Sequence, residues 1–176
     1  MHGALAQEEE LCRKSSLGVI LYKNRKKYPI RDGEMMVSKD VMFFRDDNYC
    51  FTDPFRASVG TLAAYNTYSD DWPGFASEED GGGQGGPLHE KGMKDKIRLF
   101  LTAALKNGND SVLLSAFGCG AFGNDPKYVA KWMKEVIEEP RFSKKFREIR
   151  IAIIPPKNFR DQNNIKCFRE VFETQE

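Results

Sequence analysis

The sequence predicts an α/β fold built as a single domain over residues 1–176. Apolar strands and amphipathic helices alternate in the last third of the chain, an order that is typical of parallel strands joined by right-handed crossovers. A glycine-rich turn stands between a predicted buried strand and a predicted capped helix. The hydrophobic fraction of 40%, with 13 Phe, is sufficient for one buried core and argues against global disorder.

The first part of the chain is predicted to hold one helix followed by short extended segments. Residues 4–15 are rich in helix formers, and Leu5, Glu8 and Cys12 recur at helical spacing, so we expect one helix that ends at Gly18. Short β-prone runs separated by turn residues then predict strands. The expected extended segments are residues 17–22, 35–37, 41–44 and 57–64. The last of them is expected to be buried on both faces. A turn is expected at residues 46–48 and a break in the chain pattern at Pro54.

The rest of the chain is predicted to alternate more regularly. Residues 66–87 carry Pro73, a run of glycines and several acids, which indicates an exposed flexible loop. Asp125 is expected to cap a helix whose first turn begins with Pro126. The expected helices are residues 88–106, 126–138 and 159–174, with a short helical piece at 142–146, and the expected strands are residues 111–116 and 149–154.

Charge and cysteine usage exclude several classes of protein. Lys plus Arg total 27 and Asp plus Glu total 26, so no net field favours direct binding to nucleic acid or to a membrane surface. No apolar run approaches the ~18–20 residues that span a bilayer. The widely spaced cysteines indicate reduced thiols, neither a disulfide framework nor a zinc site, and we expect an intracellular protein, cytoplasmic or nuclear. These cysteines are Cys12, Cys50, Cys119 and Cys167.

The glycine-rich turn is the sharpest candidate for a binding site. Glycines let a backbone turn tightly and approach a ligand, and successive N–H groups beside a helix N-terminus favour an anion. Its residues are Gly118, Cys119, Gly120, Ala121, Phe122, Gly123 and Asn124. The same spacing matches the dinucleotide fingerprint, but the next predicted strand carries no acid at its tip. A tight turn without a ligand is the remaining alternative.

A run of carboxylates in the first helix is the second candidate. Gln7, Glu8, Glu9 and Glu10 lie together, and a solvated acidic face would explain them. A carboxyl that faces a ligand and protonates a leaving oxygen, as in glycoside hydrolysis, would explain them equally. Adjacent helical residues point ~100° apart, so the three glutamates cannot share one role. The residues alone leave the choice open.

Two stretches together resemble one family. The helix around Gln7-Glu8-Glu9 resembles the Gln-Glu-Glu signature of microbial poly(ADP-ribose) glycohydrolases, and residues 115–126 resemble the diphosphate loop of the same family. Weaker similarities lie between and after them, at residues 38–46, at 63–66 and from Ala152 to Phe168. The resemblance therefore covers nearly the whole chain.

This resemblance implies a macrodomain, with a mixed central sheet flanked by helices and ADP-ribose in a cleft. It implies that Glu9 is the catalytic acid, that Glu8 orients the ribose beside the scissile bond, and that Gln7 contributes to ligand binding. Residues 118–124 would bind the ligand and hold its diphosphate, with Phe122 on the distal ribose. The reaction would cleave ribose–ribose O-glycosidic bonds and release ADP-ribose without a cofactor or metal. The expected partners are ADP-ribose and poly(ADP-ribose), including polymer carried on modified proteins.

The chain also departs from the family pattern. The family carries a buried strand and a Gly-Gly-Gly loop upstream of the signature helix, whereas this sequence begins at Met1. We therefore expect a partial, N-terminally truncated macrodomain that lacks the usual N-terminal strands. A catalytically inactive ADP-ribose-binding module, or a remnant that depends on a partner, is the alternative. Glu10 is expected in solvent, His89 at the surface or in a helix cap, Gly81 to Gly83 in a surface linker, and Cys119 as a small space-filling residue.

Overall fold

A computed structural model of the chain describes residues 7–69, 84–153 and 162–173. They belong to two compact units, Met1–Ala63 and Ala64–Glu176. The first unit contains α1 (Gln7–Lys14), α2 (Leu17–Lys23), a 3-10 turn (Arg25–Lys27), β1 (Met36–Arg45) and β2 (Phe51–Thr61). The second contains α3 (Pro87–Lys106), β3 (Ser111–Leu114), α4 (Pro126–Ile137), β4 (Glu148–Ile151) and α5 (Gln162–Phe172).

The predicted α/β class is confirmed, with both strand directions present. In the described residues β1 pairs antiparallel with β2, and β3 pairs parallel with β4. The parallel pair is joined through α4, as the strand–helix–strand order of the sequence predicts. The architecture is mixed α/β.

Two short helices and a hairpin form the first unit. Leu17, Leu21 and Val41 make its buried cluster. The prediction that residues 17–22 are extended was wrong, because Leu17 and Leu21 are one helical turn apart and a helix buries both on one face. Gly18 lies inside α2, where a Cβ would stand 3.3 Å from the backbone oxygen of Cys12, so a small residue fits this corner.

The hairpin is longer and more exposed than predicted. The two predicted segments, residues 35–37 and 41–44, fall in one strand, β1, which begins at Met36 and whose register shifts between Ser38 and Val41. Pro54 does not break β2, since proline is tolerated where a strand has a free edge. Residues 51–58 of β2 are exposed, so the prediction of a strand buried on both faces was wrong there. The predicted turn is confirmed: Asp46 Oδ1 accepts the N–H groups of Asn48 and Cys50.

The second unit has the larger core. Helix α3 buries Met93, Ile97 and Leu101 at helical spacing, and helix α4 buries Val129 and Met133 in the same cluster. Helix α4 in turn contacts α5. The predicted boundaries of α3 and α4 are confirmed within a residue or so, whereas the predicted ends of the last helix fall outside the described residues.

Strand β3 alternates instead of being buried throughout. Val112 and Leu114 face the core, but Leu113 is 65% exposed, because only one face of this strand is covered by described residues. Residues 142–146 form turns, not the predicted short helix. Phe142 nevertheless anchors them in the core at 2% exposure.

Candidate functional site: the loop between β3 and α4, and helix α1

The glycine-rich loop runs from the carboxyl end of β3 to the first residue of α4. Gly118 has φ +75° and Gly123 has φ +69°, in the left-handed region that favours glycine. A Cβ on Gly118 would also lie 2.5 Å from the Cβ of Ala64. Asp125 Oδ1 accepts the N–H of Lys127 at 2.8 Å, which confirms the predicted cap of α4.

Backbone amides of this loop divide into two groups. Three of them donate to carbonyl oxygens of the loop or of the residues just before it. These bonds are Cys119 N–H to Ala116 O, Gly123 N–H to Gly120 O, and Asn124 N–H to Gly118 O. Among the described residues, four others donate to no protein acceptor. These are the N–H groups of Gly118, Gly120, Ala121 and Phe122. A short run of unpaired amides before a helix N-terminus is suited to an anion.

The side chain of Asn124 supports the loop from within. It is 2% exposed, and its Nδ2 donates to Tyr65 O at 2.8 Å and to Gly118 O at 2.9 Å. Its Oδ1 lies 2.8 Å from Nε2 of His89. Asn124 was singled out from sequence as a ligand-binding residue; in the structure its side-chain atoms are engaged by the protein.

An open groove of about 630 Å³ lies against the loop. That volume is within the range of small-molecule sites, ~300–1,000 Å³. The loop contributes Cys119, Gly120, Gly123 and Asn124 to its lining, and the start of α4 contributes Asp125, Pro126 and Tyr128. Tyr68, Gln84, Asn163 and Asn164 complete the lining. The positive end of the α4 dipole therefore borders the groove.

Gln84 holds the loop from outside, a role that the sequence did not reveal. Its Nε2 donates to Gly123 O at 3.0 Å and to Thr67 Oγ1 at 3.3 Å, while its Oε1 accepts the N–H of Asp125 at 2.8 Å. Thr67 also donates through both its N–H and its hydroxyl to Phe122 O, each at 2.9 Å. Phe122 itself is 37% exposed. The turn is therefore braced on both sides of its unpaired amides.

His89 was predicted at the surface or in a helix cap, and the prediction of a surface position was wrong. The residue is 1% exposed, lies edge-on to Trp132 with ring centroids 5.1 Å apart, and reaches Asn124. Burial lowers the pKa of His89, partly opposed by its hydrogen bond with Asn124. Its hydrophilic sequence neighbours gave no indication of this contact across 35 residues.

Cys119 is a partly buried thiol. Burial raises the pKa of Cys119 to about 12, with a further increase from nearby Asp125. Its Sγ lies 3.7 Å from Phe117 O. The thiol is therefore protonated at neutral pH, which agrees with the interpretation of Cys119 as a space-filling residue.

Helix α1 presents its glutamates to three different surroundings. Glu8 Oε2 accepts a hydrogen bond from the Tyr28 hydroxyl at 2.9 Å, and burial together with this bond raises the pKa of Tyr28. Oε2 of Glu9 is buried and has no hydrogen-bond partner among the described residues. A buried oxygen without a partner costs about 1–3 kcal/mol, so such an atom is a candidate for a functional role. Gln7, at the start of the helix, is exposed.

Glu10, which was expected in solvent, keeps 30% of its side chain exposed and is also engaged by other groups of the first unit. It accepts hydrogen bonds from Arg13 and Tyr49 and lies 2.9 Å from Nζ of Lys14. Lys14 also pairs with Asp47 at the tip of the hairpin. Hydrogen bonds from Arg13 and Lys14 lower the pKa of Glu10 to about 2. Glu10 thus links α1 to the β1–β2 turn.

The lowered pKa of Glu10 predicts a pH-dependent contribution to stability. The stabilisation is complete above the ordinary pKa of 4.5 and is lost as the pH falls towards about 2, because the folded protein holds the carboxylate ionised and the unfolded chain does not. Since these pairs are solvent-accessible, we expect each to contribute little. Urea unfolding of the wild type and Glu10→Gln should differ at pH 6, and the difference should be smaller at pH 3 and vanish only as the pH approaches 2. A difference that grows at pH 3 would contradict the assignment.

The described part of the chain offers no grouping of three or more His, Cys, Asp or Glu side chains around a common metal position. Its four cysteines are free thiols. Among the described helices, none combines the length and apolarity needed to cross a bilayer. The Gly81 to Gly83 segment, interpreted from sequence as a linker, lies outside the described residues.

Comparison with known proteins identifies structural relatives. No protein-family profile and no curated protein sequence matches the chain. The poly(ADP-ribose) glycohydrolase of Deinococcus radiodurans in complex with ADP-ribose matches with a TM-score of 0.79 at 26% identity, over 98% of this chain and 70% of that one. The enzyme of Thermomonospora curvata matches with a TM-score of 0.75 at 25% identity, over 97% and 61%.

The Thermomonospora curvata enzyme bound to the inhibitor ADP-HPD gives a similar result, with a TM-score of 0.78 at 26% identity over 97% of this chain and 63% of that one. The similarity therefore spans both compact units and includes helix α1 and the β3–α4 loop. By structure, the chain is similar to the bacterial poly(ADP-ribose) glycohydrolases.

Proposed function

We propose that this chain binds ADP-ribose, with its diphosphate on the loop of residues 118–124, and hydrolyses ribose–ribose O-glycosidic bonds of poly(ADP-ribose). The observation that carries the proposal is the set of loop amides without an acceptor among the described residues, those of Gly118, Gly120, Ala121 and Phe122, beside a groove of suitable volume. Solved relatives with ADP-ribose or ADP-HPD bound support the choice of ligand. The ligand would reach this chain free, as polymer, or on modified proteins.

The diphosphate suits this loop for electrostatic reasons. Each phosphate oxygen can accept hydrogen bonds from amides that have no protein acceptor, so binding breaks no bond of the protein. Asp125 caps α4 through Lys127 N–H, which leaves the preceding loop amides as the donors for a ligand. Charge-assisted bonds of this kind contribute about 1.5–3 kcal/mol each. Phe122, partly exposed beside these amides, would contact the distal ribose.

Hydrolysis would be carried by the signature helix. Glu9 would donate a proton to the leaving ribose oxygen while positive charge develops at the anomeric carbon, and would then assist the attack of water. Glu8 would orient the ribose, with its own carboxylate held by Tyr28. The buried, unpartnered Oε2 of Glu9 supports this assignment, because the other two glutamates of α1 are occupied by protein donors.

A second candidate function is ADP-ribose binding without hydrolysis, by the chain alone or with a partner. The observation that favours this candidate is the length of the match, since the chain spans only 61–70% of the length of the solved relatives. Parts of those enzymes have no counterpart in these 176 residues. Both candidates require the loop, and only the first requires Glu9.

Titration calorimetry with ADP-ribose, followed by a poly(ADP-ribose) release assay, tests the proposal. We expect saturable 1:1 binding of ADP-ribose, competition by ADP-HPD, and release of ADP-ribose from polymer. Binding without release would support the second candidate. Absence of binding by a folded protein would contradict both.

A further inference from the structure

His89 lies beneath the glycine-rich loop, on the first turn of α3. It is fully buried, and its two ring nitrogens contact different parts of the second unit. Nδ1 lies 3.3 Å from the backbone nitrogen of Gly85, and Nε2 lies 2.8 Å from Oδ1 of Asn124. Residues 85 and 124 are thus connected through one imidazole.

These contacts determine the tautomer of His89. A backbone N–H can only donate, so Nδ1 must accept from Gly85 and carries no proton. The proton of the neutral ring is then on Nε2, where it is donated to Oδ1 of Asn124. Burial also favours the neutral ring, since it lowers the pKa of His89.

The tautomer in turn determines the orientation of the Asn124 amide. Because His89 is a donor at this position, Asn124 must present its oxygen to the ring and its NH₂ group to the opposite side. That NH₂ group reaches the carbonyls of Tyr65 and Gly118. If the Asn124 amide were inverted, its oxygen would lie against the carbonyl oxygens of Tyr65 and Gly118. Its NH₂ group would then lie against the Nε2–H of His89, which is also a donor.

Gly118 O is the acceptor on which the loop depends. It accepts from Nδ2 of Asn124 at 2.9 Å and from the Asn124 backbone N–H at 3.1 Å. Holding this carbonyl inward closes the loop between residues 118 and 124. The amides of Gly120, Ala121 and Phe122 lie within the closed segment, and none of them has an acceptor in the described part of the chain.

We propose that His89 is a positioning residue of the ligand loop, which holds the Asn124 amide in the single orientation that keeps the amides of Gly118, Gly120, Ala121 and Phe122 available to a diphosphate. The proposal rests on the proposed function for its ligand. Its structural half, that His89 sets the conformation of the loop through Asn124, can be measured without any ligand.

Two substitutions separate positioning from simple packing. His89→Leu fills similar space but removes both ring nitrogens, which leaves Oδ1 of Asn124 without its donor. His89→Gln keeps a side-chain NH₂ that can donate to Oδ1. We expect His89→Leu to weaken ADP-ribose binding about tenfold, as befits one buried group left unsatisfied, and His89→Gln to restore binding to within about threefold of wild type.

Amide NMR spectra provide the ligand-free measurement. We expect His89→Leu to shift the signals of Gly118, Gly120, Ala121 and Phe122, and His89→Gln to return them towards the wild-type positions. Equal spectra for wild type and His89→Leu would overturn the proposal, as would a Gln variant as perturbed as the Leu variant. If His89→Leu shifts the loop signals but the wild type binds no ADP-ribose, the proposed function fails and the positioning role stands.

The tautomer is a check that needs no variant, which matters if His89→Leu does not fold. Nitrogen-15 spectra of the wild-type imidazole at neutral pH should show a protonated Nε2 and an unprotonated Nδ1. A proton on Nδ1 would overturn the proposal, because that ring could not accept from Gly85 or donate to Asn124.

Discussion

Glu9→Gln is expected to lower the rate of ADP-ribose release from poly(ADP-ribose) by about 10²–10⁴-fold, the usual contribution of a general acid. The amide has nearly the shape of the carboxyl but no acidic proton to give to the leaving oxygen. Because Oε2 of Glu9 has no protein partner in the described structure, its replacement should leave the fold intact. Affinity for ADP-ribose should change by no more than a few-fold.

Glu10→Gln is the matched control for this experiment. It makes the same chemical change on the neighbouring residue of the same helix, but its carboxylate is paired with Arg13 and Lys14. We expect Glu10→Gln to keep the rate of release and to lose a little stability. Equal rates for Glu9→Gln and wild type would contradict the role of Glu9. Equal losses in the two variants would indicate damage to helix α1 instead.

Substitutions at two neighbouring glycines should separate folding from ligand binding. Gly118→Ala should destabilise the second unit by about 2–4 kcal/mol, the sum of a left-handed residue and of an overpacked methyl against Ala64. At Gly120 a Cβ would meet no heavy atom within 4 Å, so Gly120→Ala should fold normally. Its methyl would nevertheless stand among the unpaired amides.

We therefore expect Gly120→Ala to weaken ADP-ribose binding by about 10–100-fold, equivalent to one lost charge-assisted hydrogen bond. Thermal unfolding measures the loss of stability in Gly118→Ala, and calorimetry measures the loss of affinity in Gly120→Ala. Wild-type affinity in Gly120→Ala would show that the ligand does not approach this loop. Wild-type stability in Gly118→Ala would contradict the backbone conformation assigned to that residue.

Local signals in the sequence predict the binding loop well. Gly118 and Gly123 both have positive φ, which glycine adopts readily. Asp125-Pro126 begins helix α4, as capping chemistry predicts. These features depend on residues only a few positions apart. The family resemblance supplies the role of Glu9, which composition and spacing leave undecided.

The supports of the loop could not be predicted because they join distant residues. His89 meets Asn124 across 35 residues, and Gln84 meets the N–H of Asp125 across 41. In the sequence both residues stand in or beside a polar, glycine-rich stretch that resembles a solvent-exposed loop. Only the fold places them under and beside the turn.

The errors in the strands have a related cause. Burial of a strand face depends on what covers it, which composition does not specify, so the small residues 57–58 of β2 are exposed and Leu113 of β3 faces outward. Likewise, residues 17–22 are helical because α2 packs on Val41, a contact that outweighs the β-propensity of its valine and isoleucine.

The most direct measurement is a titration of nitrogen-15-labelled protein with ADP-ribose, followed through the backbone amide signals. If the glycine-rich loop holds the diphosphate, the largest shifts will belong to Gly118, Gly120, Ala121 and Phe122, whose N–H groups have no protein acceptor among the described residues. Saturable shifts confined to other parts of the chain would contradict the assignment of the diphosphate to this loop. So would the absence of any shift at ligand concentrations that saturate known ADP-ribose binders.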